Sequence, residues 1–276
     1  MEASQLFASG ALAGRVVLVT GGGTNLGKHA AKELHRCGAS VVIAGRRVAV
    51  LEQAAAEIGE RCTIAAGDIR EADGAAGIVR AALAAHERLD VLVNNAGGQY
   101  LVPSEDLALK GWRAVWRLNV EGTLAMTTAA VDHGFGADGG TVVNITVSPH
   151  NGYPTLAHTG AARAAVEHMT RAQAAEFASR GIAVVAAAIG RFDTESLRKY
   201  PQIFWRGAAA TVPLQRLGTM DEFSWLVAML ASPLGREFSG SVVTLDGGLD
   251  NWDGPWPRPS MLDEHGDVPA EQRRAG

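Results

Sequence analysis

VVLVTGGGTNLGKHAAKEL, residues 16–34, passes from a short apolar, β-branched run into a glycine-rich turn and then into an alanine-containing amphipathic stretch. Glycines at such a turn let the backbone bend sharply and approach a phosphate closely. The helix that follows offers free N–H groups and the positive end of its dipole to the same anion. A glycine-rich turn by itself is a weak signal. Set between a first strand and a first helix, it is the arrangement that receives a pyrophosphate.

The alternation continues along the chain. Apolar runs recur at VVIAG (41–45), CTIAAG (62–67), DVLVNNAG (90–97), TVVNIT (141–146), IAVVAAAIG (182–190) and SVVTLDGG (241–248). Between them lie stretches such as VAVLEQAAAEIGE and GAAGIVRAALAAHE, which read as helices. Strands apolar throughout are buried on both faces, and strands alternating with helices build right-handed βαβ units. The expectation is an α/β fold: one doubly wound, Rossmann-type domain of about seven parallel strands over residues 1–250. Residues 251–276 turn rich in Trp, Pro and charge and read as an extended tail. Trp252 and Trp256 are expected to pack over a pocket or a subunit contact.

Composition narrows the function. A chain of 276 residues with 47% hydrophobic content can bury a full core, and its net charge of −4 without a Lys/Arg block argues against a nucleic-acid partner. The longest apolar run, 182–190, is about half the roughly 20 residues of a membrane span. The acidic, non-basic start argues against a secretory signal, so a cytoplasmic protein is expected. Cys37 and Cys62 have no metal or redox spacing and read as plain thiols, and no metal is expected.

TGGGTNLG (20–27), GDI (67–69), NNAG (94–97), the helix at 156–179, IGRFDT (189–194) and LDGG (245–248) together resemble the short-chain dehydrogenase/reductase family over residues 12–250. The resemblance implies a nicotinamide dinucleotide and a homotetramer or homodimer. It places Gly21, Thr24, Asn25, Leu26 and Gly27 around the pyrophosphate and ribose. Asp68 and Ile69 flank the adenine, Asn95, Ala96 and Gly97 line the adenosine ribose side, and Gly190 and Thr194 meet the nicotinamide. Asn25 stands where the family usually has Gly. Asn tolerates a left-handed backbone, so the turn can survive. After strand two the chain carries Arg46 and Arg47 and no acid, which favours the 2′-phosphate of NADP(H) over NAD(H).

The pattern breaks at LAHTGAARAAVEHMT, residues 156–170. The family supplies a proton from a Tyr, assisted by a Lys four residues later on the same helix face. Thr159 and Arg163 stand in those places. A Thr hydroxyl is no tuned acid, and Arg does not release a proton. Arg163 can still donate to ribose hydroxyls or hold an anionic substrate. The family's Ser position falls at Thr146 or Val147, and Asn119 matches its helix Asn, read either as a water support or as a helix-kink bond. The groups left near the pocket are Tyr153, Ser148, His150 and His158, with Tyr153 the leading proton donor.

Within the family the chain looks most like the 2,4-dienoyl-CoA reductase branch, which also lacks the helix Tyr. Ungapped counting sets Ser148 where that branch's mitochondrial members carry a loop Tyr. Residues 191–207 read as a lid mixing Arg191, Arg198, Lys199 and Arg206 with Phe192, Tyr200, Phe204 and Trp205, suited to a bulky small molecule with an anionic part, or else as an ordinary solvated face. Three functions follow: an NADP(H)-dependent oxidoreductase with a displaced proton donor, acting on an enone, enoyl thioester or carbonyl; a non-redox enzyme such as an isomerase, cyclase, dehydratase or lyase; or a silent binding subunit.

Overall fold

The computed structural model describes residues 4–148, 150–152, 154–199 and 207–251. Seven strands form one parallel sheet in the order β3-β2-β1-β4-β5-β6-β7. They are β1 Val16–Thr20, β2 Ser40–Gly45, β3 Cys62–Ala66, β4 Val91–Asn94, β5 Gly140–Val147, β6 Ile182–Ile189 and β7 Val242–Leu245. Each falls within a residue or two of an apolar run in the sequence. The central strands are buried along their whole length, as expected when helices cover both faces.

Side-chain alternation divides the core in two. Val17, Val19, Ile43, Val93, Val143 and Val185 face helices α1 (Asn25–Arg36), α2 (Val48–Ile58) and Met220–Ala231. Val16, Leu18, Val42, Leu92, Val142 and Val184 face α3 (Ala72–His86) and α5 (Gly122–Ala129). The helix Met220–Ala231 starts at a capping box, in which Thr219 and Glu222 satisfy each other's backbone donors. Helix α4 (Leu109–Trp116) runs into a π turn, Arg117–Glu121, before α5 begins, and helix α6 (Ala157–Phe177) crosses β5 and β6.

Strand order reverses between β1 and β4, and ligands of such sheets bind outside the carboxyl ends of the strands at that point. Among the described residues no helix is long and apolar enough to cross a membrane. Phe192 belongs to the core rather than to a lid: it is 5% exposed and meets Phe223 edge-to-face at 6.1 Å. Arg198 pairs with Asp193 at 3.0 Å, and Arg191 donates to Thr211. Arg198 is thus paired within its own segment, and Arg191 reaches beyond it to Thr211. Tyr200, Phe204, Trp205, Arg206 and the Trp252–Trp256 stretch lie outside the described residues.

Candidate active site

The turn after β1 is built from backbone necessity. Gly21 has φ +66°, and Asn25 opens α1 at φ 45°, the left-handed conformation its residue type tolerates. Gly27 has no room for a side chain, because a Cβ there would collide with the Gly21 carbonyl and approach Asn95 Nδ2 to 2.5 Å. Thr24 is the N-cap of α1 but makes no side-chain capping bond, so the helix offers its first N–H groups to whatever enters.

Thr24, Asn25, Leu26 and Gly27 line one continuous cleft. It runs past Gly45, Arg46 and Arg47 at the end of β2 and past Asp68 and Ile69 after β3. It then follows Asn95, Ala96 and Gly97 after β4 and ends at Thr194. Arg46 and Arg47 are exposed and form no ion pair among the described residues. Asp68 is held by Arg70 Nε at 2.9 Å, and that guanidinium, aided by Arg46, keeps its carboxyl down at about 2. Asn95 Nδ2 donates to the Thr20 carbonyl at 2.9 Å, while Thr20 Oγ1 accepts from the N–H groups of Asn95 and Ala96 at 3.1 and 3.0 Å. Thr20, the last residue of β1, therefore locks the two cofactor-side turns together.

Gly190 does not line this cleft. It packs on Asp246, whose Cβ would stand 2.6 Å from a Cβ at position 190. Thr194 spends its hydroxyl on the Leu197 N–H at 3.0 Å. Asn119 sits in the π turn, fully buried, with Nδ2 donating to the Gly98 and Val115 carbonyls at 2.9 and 2.8 Å and Oδ1 accepting from the Gly98 N–H at 3.3 Å. It stitches the loop after β4 to the helix kink, and π turns recur at functional sites.

On α6, Thr159 is 1% exposed and its hydroxyl has no hydrogen-bond partner among the described residues. Arg163 Nη1 donates to the Ile145 carbonyl at 2.6 Å, one residue beyond the last β4–β5 pair, Asn94–Asn144. Burial without a counter-charge pulls its pKa down to about 10, so it is still a cation at neutral pH. His158 stacks edge-to-face on Tyr100 at 4.7 Å, with neither ring nitrogen bonded, and burial favours its neutral form. It is not among the residues that line the cleft.

The end of β5 carries a polar network. Ser148, 2% exposed, donates to Asp246 Oδ2, which also accepts from the Asp250 N–H at 2.7 Å. His150 lies between two carboxylates, Asp250 Oδ2 at 2.5 Å and Glu167 Oε1 at 2.9 Å. Burial pulls its pKa down, but the bonds and charges of Asp250 and Glu167 outweigh that and raise it above 6.5. Glu167 Oε1 also accepts from Thr146 Oγ1 at 2.7 Å. Both hydroxyls therefore meet carboxylates: Thr146 is committed to Glu167 on α6, and Ser148 to Asp246 beyond β7. Tyr153 lies outside the described residues. Glu167, Asp246 and Asp250 were not singled out in the sequence; only the closing LDGG motif hinted at Asp246.

Comparison with known proteins gives the site a context. A family model described as enoyl-(acyl carrier protein) reductase matches residues 22–250. The peroxisomal 2,4-dienoyl-CoA reductase [(3E)-enoyl-CoA-producing] of Danio rerio is 32% identical over 253 residues, covering 89% of this chain and 84% of that one. Its counterpart of the same name from Pongo abelii is 34% identical over 251 residues, covering 88% and 86%. Among solved structures, a citronellol catabolism dehydrogenase of Pseudomonas aeruginosa PAO1 superposes with a TM-score of 0.80 at 33% identity, covering 90% of this chain and 99% of that one.

Proposed function

The chain belongs to the short-chain dehydrogenase/reductase family and is an oxidoreductase, and from that premise we propose that it is an NADP(H)-dependent reductase of conjugated carbonyl compounds, enoyl and dienoyl thioesters first, whose proton donor is displaced from α6. The observation that carries the reading is a cleft joining an uncapped α1 N-terminus, two arginines without carboxylate partners among the described residues and the ends of the central strands. That donor set suits a dinucleotide phosphate: N–H groups of α1 for the pyrophosphate, Arg46 and Arg47 for a 2′-phosphate, and Asn95, Ala96, Gly97 and Thr194 along the rest. The names carried by the relatives support the choice of a conjugated thioester. A bound reduced nicotinamide supplies hydride to the substrate.

The chain's own residues then divide the remaining work. Thr159 cannot supply a proton near neutral pH, and Arg163 keeps its own. The proton comes from the loop between β5 and α6, with Tyr153 as the leading donor. Ser148 and Asp246 form a hydroxyl–carboxylate pair at the root of that loop. Asn119 holds Gly98 and thereby the wall beside Gly97. A cytoplasmic homotetramer or homodimer acting on a small molecule is part of the same proposal. The test is consumption of NADPH by the purified protein across enoyl thioesters, dienoyl thioesters, enones and ketones. Saturable consumption with a conjugated substrate is the expected result; equal turnover of simple ketones would move the substrate class.

A further inference from the structure

His150 joins three segments that are distant in sequence: the loop after β5, helix α6 and the turn Leu249–Asn251 after β7. Its backbone N–H and its Nδ1 reach Asp250 Oδ1 and Oδ2, each at 2.5 Å, and its Nε2 reaches Glu167 Oε1 at 2.9 Å. Each carboxylate is anchored behind. Glu167 accepts from Thr146 on β5, and the Asp250 N–H donates to Asp246, which also holds Ser148. An imidazole carries two N–H donors only as a cation; the neutral ring has one donor and one lone pair. Both ring nitrogens meet carboxylate oxygens here, so the charged ring satisfies the arrangement and the neutral ring turns a lone pair on one carboxylate. The groups that face it are Glu167 from α6, Asp250 with Asp246 behind it from the segment after β7, and the hydroxyls of Thr146 and Ser148 from β5 and its extension. Both charges acting on the ring are negative. Its side chain is 35% exposed, so the proton exchanges with solvent.

We propose that His150 is a protonation-operated clamp that positions the loop between β5 and α6: charged, it fastens the loop both to α6 and to the turn after β7; neutral, it gives up one of the two. The clamp stands on the geometry alone and rests on the reductase reading only for its catalytic consequence. The sheet's own ladder holds the chain as far as Ser148, whose N–H donates to the Ile189 carbonyl at 2.9 Å. Two residues on, His150 adds bonds that depend on charge, and Tyr153 follows three residues later in the sequence. Asp250 and Glu167 favour the imidazolium, and that outweighs burial. The clamp is therefore closed below pH 6.5 and opens as pH rises through the folded pKa. His150 is not among the residues that line the cleft. It acts through the loop, as a positioning residue, so opening the clamp lowers turnover and leaves NADPH affinity nearly unchanged.

The test is hydrogen exchange of the full chain, read by mass spectrometry in peptides spanning 144–152 and 246–251, at pH 6 and pH 9 after correction for the intrinsic pH dependence of exchange. Two variants fix the charge: His150→Gln is neutral at both pH values and His150→Arg is cationic at both. In the wild type, protection in these peptides should fall by about tenfold between pH 6 and pH 9, the scale of a hydrogen bond to a charged group. His150→Arg should keep its protection across the interval, and His150→Gln should be weakly protected throughout. A flat wild-type profile, or a fall that persists in either variant, overturns the clamp. If His150→Gln does not fold, the wild-type and His150→Arg profiles decide between the same two results. None of this needs turnover, so a protein that oxidises no NADPH can still show the clamp, and the loss of the reductase reading is seen separately. With a conjugated thioester as substrate, kcat should fall over the same pH interval as protection while KM for NADPH stays level. A kcat that is flat across the exchange transition overturns the positioning role.

Discussion

Arg163 and Glu167 stand one turn apart on the buried face of α6 and do not pair. Glu167 turns to His150 and Thr146, and Arg163 turns to the Ile145 carbonyl. An Arg and a Glu four residues apart on a helix ordinarily attract each other. Here the loop after β5 supplies a competing partner, His150, and among the described residues the guanidinium is left without a carboxylate.

His150 should report that competition directly. Its pKa lies above 6.5 in the folded protein because Asp250 and Glu167 favour the charged ring. A histidine with a raised folded pKa contributes stability that is fully present below 6.5 and is lost as pH rises through the folded value. Glu167→Gln removes one partner, so an NMR titration should show the His150 pKa moving down while Asp250 keeps part of the elevation. An unmoved pKa would mean that the Glu167 contact does not hold in solution.

His35 should act in the opposite direction. It is 0% exposed, neither ring nitrogen is bonded among the described residues, and burial together with the Arg61 charge lowers its pKa. The unfolded chain takes up a proton as pH falls below 6.5, and the folded chain resists it. Stability should therefore decrease from pH 6.5 downward toward the folded pKa. Denaturant titrations of wild type and His35→Leu at pH 7 and pH 5 check this. The variant should lose less stability between the two pH values, and identical losses would remove His35 as the source.

Cofactor choice rests on Arg46 and Arg47. A charge-assisted contact to a 2′-phosphate contributes roughly 1.5–3 kcal/mol, so NADPH should bind about tenfold to a hundredfold more tightly than NADH. Arg46→Ala should narrow the gap mainly by weakening NADPH. Equal dissociation constants for the two cofactors in the wild type would end this assignment.

The proton donor can be isolated by comparing three variants. General acid catalysis contributes about 10²–10⁴-fold, so Tyr153→Phe should cut turnover by a factor in that range with NADPH affinity nearly unchanged. Thr159→Val should cost far less. Full activity in Tyr153→Phe with a large loss in Ser148→Ala would transfer the role to the hydroxyl paired with Asp246.

The sheet was legible in the sequence because its strands are buried on both faces and so read as uninterrupted apolar runs, from Val16–Thr20 to Val242–Leu245. The cofactor-side turns were legible because Gly21, Asn25 and Gly27 answer to backbone geometry that few residue types satisfy. The polar network was not. Ser148 and Asp246 are 98 residues apart, and only the closure of β5, β6 and β7 side by side brings such a pair together. Local pattern also misled at Phe192: beside Arg191 and Arg198 it reads as an amphipathic lid, yet the chain turns it into the core against Phe223. His158, one of the polar groups the sequence sets near the pocket, is carried by helix geometry onto the Tyr100 ring.

Steady-state consumption of NADPH with a 2,4-dienoyl thioester, with the product identified, tests the central claim most directly. Saturable, stoichiometric NADPH oxidation yielding an enoyl thioester is expected, with turnover that falls in Tyr153→Phe. Measurable NADPH binding with no oxidation by any dienoyl thioester, enoyl thioester, enone or ketone would contradict it.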